Sequence, residues 1–230
     1  MSVSVSYQGE LIMKYAVLDG SRFEYPIGKI LCIGRNYVDH IKELGNETPS
    51  APVIFIKPSS SIIEEGQQIK IPEYSNDCHH EVELAVLIGK TAKNIQPDSV
   101  PEYIAGFGVA IDLTLRDVQA EQKKKGLPWE IAKGFDTACP LSVFVSASCV
   151  KDPQHLNIRL NINGTERQNG NTSLMIHSIM EIVSYMSGIF TLEAGDIILT
   201  GTPAGVGVIK SGDNIVAEIE QVGRLNVIVA

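Results

Sequence analysis

In the run His79-His80-Glu81-Val82-Glu83-Leu84-Ala85-Val86-Leu87-Ile88-Gly89, two carboxylates stand two residues apart in apolar company. Side chains alternate faces along a strand, so Glu81 and Glu83 point one way while Val82, Leu84, Val86 and Ile88 point the other, as core. Two like charges in a buried strand repel and resist desolvation unless a proton or a cation neutralises them. A divalent cation with oxygen ligands is the simplest neutraliser; on this spacing alone, an edge strand with two solvated glutamates is the commoner outcome. A third carboxylate, Asp112, ends a second apolar run, Gly106 to Leu113. Strand ends carry chemistry in many folds, although a helix cap is the plain alternative. Glu, Glu and Asp with no His or Cys partner favour Mg²⁺, Mn²⁺ or Ca²⁺ over Zn²⁺.

Other groups could serve such a centre. His40 and Glu43 lie three apart in a short helical pattern (Val38, Ile41, Leu44, with Gly45 as the stop), so they neighbour each other on its surface. A carboxylate beside an imidazole raises its basicity, as a general base requires; read alone, this is a surface pair. Arg116 and Gln119 share one face of the helix expected after Asp112, with Asp112 or Thr114 as cap. Lys133 is either a solvated loop lysine or a cation aimed at an anionic ligand. In Gly201-Thr202-Pro203, exposed N–H groups and the Thr202 hydroxyl could hold a carboxylate, but no Gly-Lys-Ser/Thr makes this a phosphate loop.

Several elements must position these groups. Strands are expected over Leu11–Leu18, Lys29–Ile33, Val53–Pro58, Gln68–Ile71, 79–89, 106–113 and 139–146, with a one- or two-turn helix within 90–105. One helix should run to Lys125 and stop at Gly126, and another should cover Ser173–Met186, capped by Thr172 or Ser173; His177 on it reads as packing rather than as a ligand. Asn163-Gly164 suits a type I′ hairpin turn, and a last hairpin closes the chain around Gly212-Asp213 and Gly223-Arg224. Residues 46–52 form a polar, Pro-rich connection that could let the His40 helix move as a lid. The 230 residues read as one domain, with 1–35 a β-rich entry segment and 36–230 the main body. A net charge of −8 without a basic run argues against nucleic acid or an anionic membrane as partner. No apolar stretch is long enough to span a bilayer. Four scattered cysteines with no Cys-x-x-Cys pair, and no signal pattern, suit free thiols in the cytoplasm.

Taken in order, Gly34-Arg35-Asn36-Tyr37, Phe55-Ile56-Lys57-Pro58, His80-Glu81-Val82-Glu83-Leu84, Asp112 to Gln119, Lys123 to Trp129, Asn163-Gly164, Gly195 to Pro203 and Gly205-Val206-Gly207 resemble the fumarylacetoacetate hydrolase family from about Ile33 to the end. Within it, the chain is most similar to the small single-domain acylpyruvate hydrolases, some of which decarboxylate oxaloacetate. The resemblance implies an α+β fold, a mixed β-roll or sandwich with short flanking helices, and a homodimer. It implies Mg²⁺ or Mn²⁺ (Ca²⁺ as a stand-in in crystals) on Glu81, Glu83 and Asp112. It makes His40 and Glu43 a lid dyad, gives Lys133 a catalytic role, and places Arg35, Arg116, Gln119 and Thr202 against the substrate. The substrate expected is a small 2-oxo or 2,4-dioxo acid, chelated through its carboxylate and keto oxygens. The reaction expected is hydrolysis of a C–C bond in an acylpyruvate, with His40 activating water, and oxaloacetate decarboxylation as a side activity. One alternative is isomerisation of an unsaturated 2-oxo diacid of the 2-hydroxyhepta-2,4-diene-1,7-dioate type. Another, a non-catalytic metal-dependent binding protein, is disfavoured because His40, Glu43 and Lys133 are all present.

Overall fold

A computed structural model describes residues 13–18, 24–43, 45 and 51–230. A six-stranded mixed sheet carries the site. Its order is Val145–Ser146, Ile104–Ile111, Val82–Ile88, Ile197–Leu199, Lys29–Gly34 and Val53–Pro58, with the Ile197–Leu199 and Lys29–Gly34 strands parallel and the other neighbours antiparallel. Facing it is a five-stranded sheet ordered Thr165–Asn171, Asn157–Ile162, Asn214–Ile219, Gly223–Val229 and Gln68–Ile69. Val82, Leu84, Val86 and Ile88 join Ile158, Leu160, Ala217, Leu225 and Val227 in the larger core. Ala85 and Leu87, on the opposite face, pack with Ile30, Phe55, Phe144 and Leu199 in a second core. The strand is therefore buried on both faces, and the side that bears Glu83 is no solvated edge. This is the mixed-sheet architecture with short helices that the motifs imply.

Among the described residues four α-helices flank the sheets: α1 (Val38–Glu43), α2 (Arg116–Lys125), α3 (Glu130–Lys133) and α4 (Ile179–Ile189). Gly126 ends α2 as expected, in the left-handed conformation at φ 65°, with its N–H bonded back to Gln122 and Lys123. Asn163 (φ 52°) and Gly164 (φ 79°) make the hairpin turn with both central residues at positive φ, as type I′ demands.

Several boundaries differ from the expectation. The 79–89 run is two strands, Cys78–His80 and Val82–Ile88, in different sheets, with Glu81 at the break. Chain that changes sheets must leave one ladder before entering the next, and alternation of side chains does not reveal where. The second carboxylate-bearing strand is Ile104–Ile111, so Asp112 lies just past its end. Neither Asp112 nor Thr114 caps α2; Thr114–Leu115 pairs with Cys78–His80 instead, and Leu115 holds the cap position. Strand 139–146 is two short pieces, Cys139–Pro140 and Val145–Ser146. The Gln68 strand stops at Ile69, and the first described strand is Tyr15–Val17. The helix expected from Ser173 starts at Ile179, after a 3₁₀ turn at Thr172–Leu174, and its cap is Ser178 in a capping box with Glu181. The chain-closing hairpin turns at 220–222, between Asn214–Ile219 and Gly223–Val229. Leu11-Ile12, the Asp19-Gly20 turn and most of the 46–52 connection lie outside the described residues. All four cysteines are free thiols, three of them buried. Among the described residues no helix is long and apolar enough to cross a membrane.

Candidate active site

Three neighbouring pieces of the large sheet deliver three carboxylates to one point. Glu83 projects from its strand, Glu81 from the break before it, and Asp112 from the end of the antiparallel neighbour, whose backbone N–H donates to the Glu81 carbonyl at 2.7 Å. One ligand oxygen from each lies within 4.8 Å of the others, and all three residues are at most 5% exposed.

Cations converge on the same point. Lys133, at the end of α3, donates to Glu81 Oε2 at 2.9 Å and to Asp112 Oδ2 at 2.6 Å. Arg116, in the first turn of α2, pairs with Glu81 and donates to Gln119 Oε1 at 3.0 Å. Lys57 is wholly buried beneath Asp112, 2.8 Å from its Oδ1, and donates to the carbonyls of Leu113, Lys133 and Ala138. Among the described residues Glu83 alone of the three carboxylates has no cation at ion-pair distance; it accepts the Gly201 N–H at 2.7 Å.

The charge states follow from these contacts. Burial raises Glu81, but Lys133 and Arg116 outweigh it and hold the carboxyl well below its usual range. Burial, then the Asp112 and Glu81 charges, push Glu83 well above it. Burial lowers Lys133, and the Asp112 and Glu81 charges more than restore it. A buried all-oxygen donor set with one carboxylate lacking a counter-charge fits a hard divalent ion.

Of the sequence-predicted residues, Arg35, His40, Glu81, Glu83, Asp112, Arg116, Gln119, Lys133 and Thr202 all line one cavity of about 30 Å³. Glu43 stands behind them: its Oε2 lies 3.5 Å from His40 Nδ1, and both its oxygens accept the Gly205 N–H at 3.1 Å. These contacts, together with Asn36, which bonds the Thr200 carbonyl and the His177 backbone, dock α1 on the Gly-rich turn. His40 is consequently 5% exposed, and burial holds its imidazole below the ordinary value. The Gly-rich turn differs from expectation in one respect. Its Gly201 and Gly205 N–H groups are taken by the protein's own Glu83 and Glu43, and the Thr202 hydroxyl accepts from Gln168 Nε2 at 2.7 Å.

Lys57, Gln168, Trp129 and Lys123 also belong to this surrounding; Lys57, Lys123 and Trp129 fall within the quoted motifs but carried no expected role. Gln168 accepts the Val82 N–H, contacts His80 Nδ1 and donates to Thr202 and to the Pro203 carbonyl, so it ties the two loops that flank the carboxylates. A lysine ending the apolar strand Val53–Pro58 was a visible signal for Lys57; nothing local marks Gln168.

The fumarylacetoacetate (FAA) hydrolase C-terminal model matches residues 29–230. The chain belongs to the fumarylacetoacetate hydrolase family. Among its relatives is oxaloacetate tautomerase YcgM of Escherichia coli (strain K12), 51% identical over 197 residues, 85% of this chain and 90% of that one. Mitochondrial oxaloacetate tautomerase FAHD1 of Homo sapiens is 49% identical over 190 residues, 83% of this chain and 86% of its own. Among solved structures, fumarylpyruvate hydrolase from Pseudomonas aeruginosa in complex with Mn²⁺ and pyruvate superposes with a TM-score of 0.90 at 34% identity, over 95% of this chain and 96% of that one. A family whose members are named as enzymes, one of them holding Mn²⁺, agrees with a hard-metal site read from donor chemistry.

Proposed function

We propose that this chain is a divalent-metal-dependent enzyme that interconverts the keto and enol forms of a 2-oxo acid, oxaloacetate foremost. The observation that carries this is the convergence of Glu81, Glu83 and Asp112, with Lys133 across two of them, on the cavity that His40 lines. The three carboxylates hold Mg²⁺ or Mn²⁺, which when bound supplies Lewis acidity toward the carboxylate and keto oxygens of the substrate. Arg116, Gln119 and Thr202 orient the substrate carboxylate. Glu43 holds His40 Nδ1 as the donor nitrogen, so Nε2 is the base. His40 takes a proton from C3, the C–H pair becomes the C2–C3 double bond, and the carbonyl π pair moves to the C2 oxygen, which takes a proton from water while His40 returns its own to solvent. In reverse, His40 protonates C3 of the enol. Burial keeps His40 neutral and able to accept at neutral pH. Identity of about half with two oxaloacetate tautomerases over most of the chain supports this substrate.

Hydrolysis of an acylpyruvate is the second reading, favoured by the likeness to the fumarylpyruvate hydrolase structure that holds Mn²⁺ and pyruvate. It uses the same metal ligands, with His40 deprotonating water at the distal carbonyl instead of C3. The deciding experiment follows three conversions in parallel with purified protein and Mg²⁺ or Mn²⁺: loss of enol-oxaloacetate absorbance, loss of the acetylpyruvate chromophore, and CO₂ release. A tautomerisation rate dominating the other two is expected. Dominant acetylpyruvate cleavage selects the second reading, and no metal-dependent acceleration of any of the three sinks both.

A further inference from the structure

Lys123 lines the cavity but takes no part in the carboxylate cluster. It sits on α2 at seven residues from Arg116 and four from Gln119, so the three form one stripe along the helix facing the cavity. Its ammonium lies 5.2 Å from the centroid of the Trp129 ring, and Trp129 in turn packs against Phe55 with centroids 5.9 Å apart. The stem and head of the lysine are thereby held toward the cavity. Arg116 is committed to Glu81, Lys133 to Glu81 and Asp112, and Lys57 to Asp112. Among the described residues no carboxylate lies at ion-pair distance from Lys123. Burial, then the Arg35, Arg116 and Lys133 cations, push its ammonium down to about 8, against the opposing pull of the Glu81 charge.

A 2-oxo monoacid spends its one carboxylate at the metal end and brings nothing for this lysine. A 2-oxo diacid brings a second carboxylate, and Lys123 is the cation of the α2 stripe that, among the described residues, no carboxylate of the protein holds. We propose that Lys123, braced on Trp129, receives the distal carboxylate of a 2-oxo dicarboxylate and so sets a preference for diacids over acylpyruvate-like monoacids. This rests on the cavity being a 2-oxo acid site and extends that reading to the substrate's far end. Lys123 is here a specificity residue, with no role in proton transfer.

Trp129 is the chain's single tryptophan, so its fluorescence reports on ligand at this wall without any turnover. The probes are 2-oxoglutarate and 2-oxovalerate, which share a five-carbon 2-oxo skeleton and differ in the terminal carboxylate. Both are titrated into Mg²⁺-loaded wild type, K123Q and K123R, each checked for an unchanged thermal transition. Wild type should bind the diacid more tightly. K123Q should weaken the diacid by about ten- to hundredfold, the worth of a charge-assisted hydrogen bond, while 2-oxovalerate moves much less; K123R should retain most of the preference. In turnover, the same change should appear in KM for oxaloacetate and spare kcat. Equal weakening of both probes in K123Q, no diacid preference in wild type, or no binding of either acid would overturn the proposal. A diacid preference lost in K123Q, in a protein that turns over no 2-oxo acid, would remove the functional reading and leave this assignment standing.

Discussion

At the scale of single residues, Glu83 is the group whose surroundings most call for a metal. Among the described residues its carboxylate accepts one hydrogen bond, from the Gly201 N–H, and the like charges of Asp112 and Glu81 outweigh the Lys133 cation. Glu83→Gln keeps its size and removes the charge, so Mn²⁺ affinity measured by calorimetry should fall and metal-dependent activity should be abolished; a variant with wild-type affinity would take Glu83 out of the ligand set. His40 is lowered from its ordinary value by burial, so its protonated form is the one the fold disfavours. The base is therefore available at neutral pH, and kcat/KM should decline as pH falls through a value below about 6.5. The stability linked to this group has the same sign: present above the unfolded value and lost as pH drops through the folded one. His40→Ala should cut tautomerisation and acylpyruvate cleavage by a hundredfold or so and flatten that acid limb. Oxaloacetate decarboxylation, which needs no base at C3 or at water, should lose clearly less; equal losses on all three would mean that His40 positions ligand rather than moving protons. Lys57 is a different kind of residue. It is fully buried and binds Asp112 and three carbonyls at once, so Lys57→Met should cost about 3–5 kcal/mol in urea unfolding.

At the scale of elements, the turn after the Ile197–Leu199 strand and helix α1 act as one clasp. Gly201 sits at φ 93°, and a Cβ there would come within 2.7 Å of the Asn36 Cβ while its N–H must stay on Glu83. Gly201→Ala should therefore lower stability by about 1–3 kcal/mol and weaken metal binding together. Loss of one without the other would separate the turn from the site. α1 is docked in this structure, through Glu43 on the Gly205 N–H, and the cavity beneath it admits about two water-sized occupants. We propose that α1, whose His40 lines this cavity, moves as a lid over it. Hydrogen exchange at 38–43 should slow when Mg²⁺ and pyruvate are added, and an unchanged rate would argue against closure on ligand.

At the scale of the whole molecule, the chain is expected to pair with a second copy through the side bearing the Asn163-Gly164 hairpin and the segment that follows it. Leu174, 57% exposed, and Val38, 45% exposed, lie beside a surface hollow shared with Asn169, Gly170 and Pro203, apolar surface of the sort that interfaces cover. Light scattering at micromolar concentration should give the mass of a dimer, and Leu174→Asp should shift it toward the 25.0 kDa of one chain. A monomeric wild type would contradict this.

What the sequence determined by itself was local or periodic. Alternation chose Val82, Leu84, Val86 and Ile88 as one core face, Asn163-Gly164 specified its turn, and Gly126 its helix end, because each depends on neighbours a few residues away. The carboxylates were legible too, since two like charges in an apolar run are costly without a purpose. The start of α4 was also written locally, in Ser178 and Glu181, but an apolar pattern reaching back to Leu174 obscured it. Only the tertiary structure decided that the chain changes sheets at Glu81, that Lys57 supports Asp112 from 55 positions away, that Gln168 joins His80 to Thr202, and that the Gly-rich turn serves Glu83 and Glu43. Each of these depends on which strand lies beside which, and long-range pairing is set by burial of whole faces rather than by the residues at any one position.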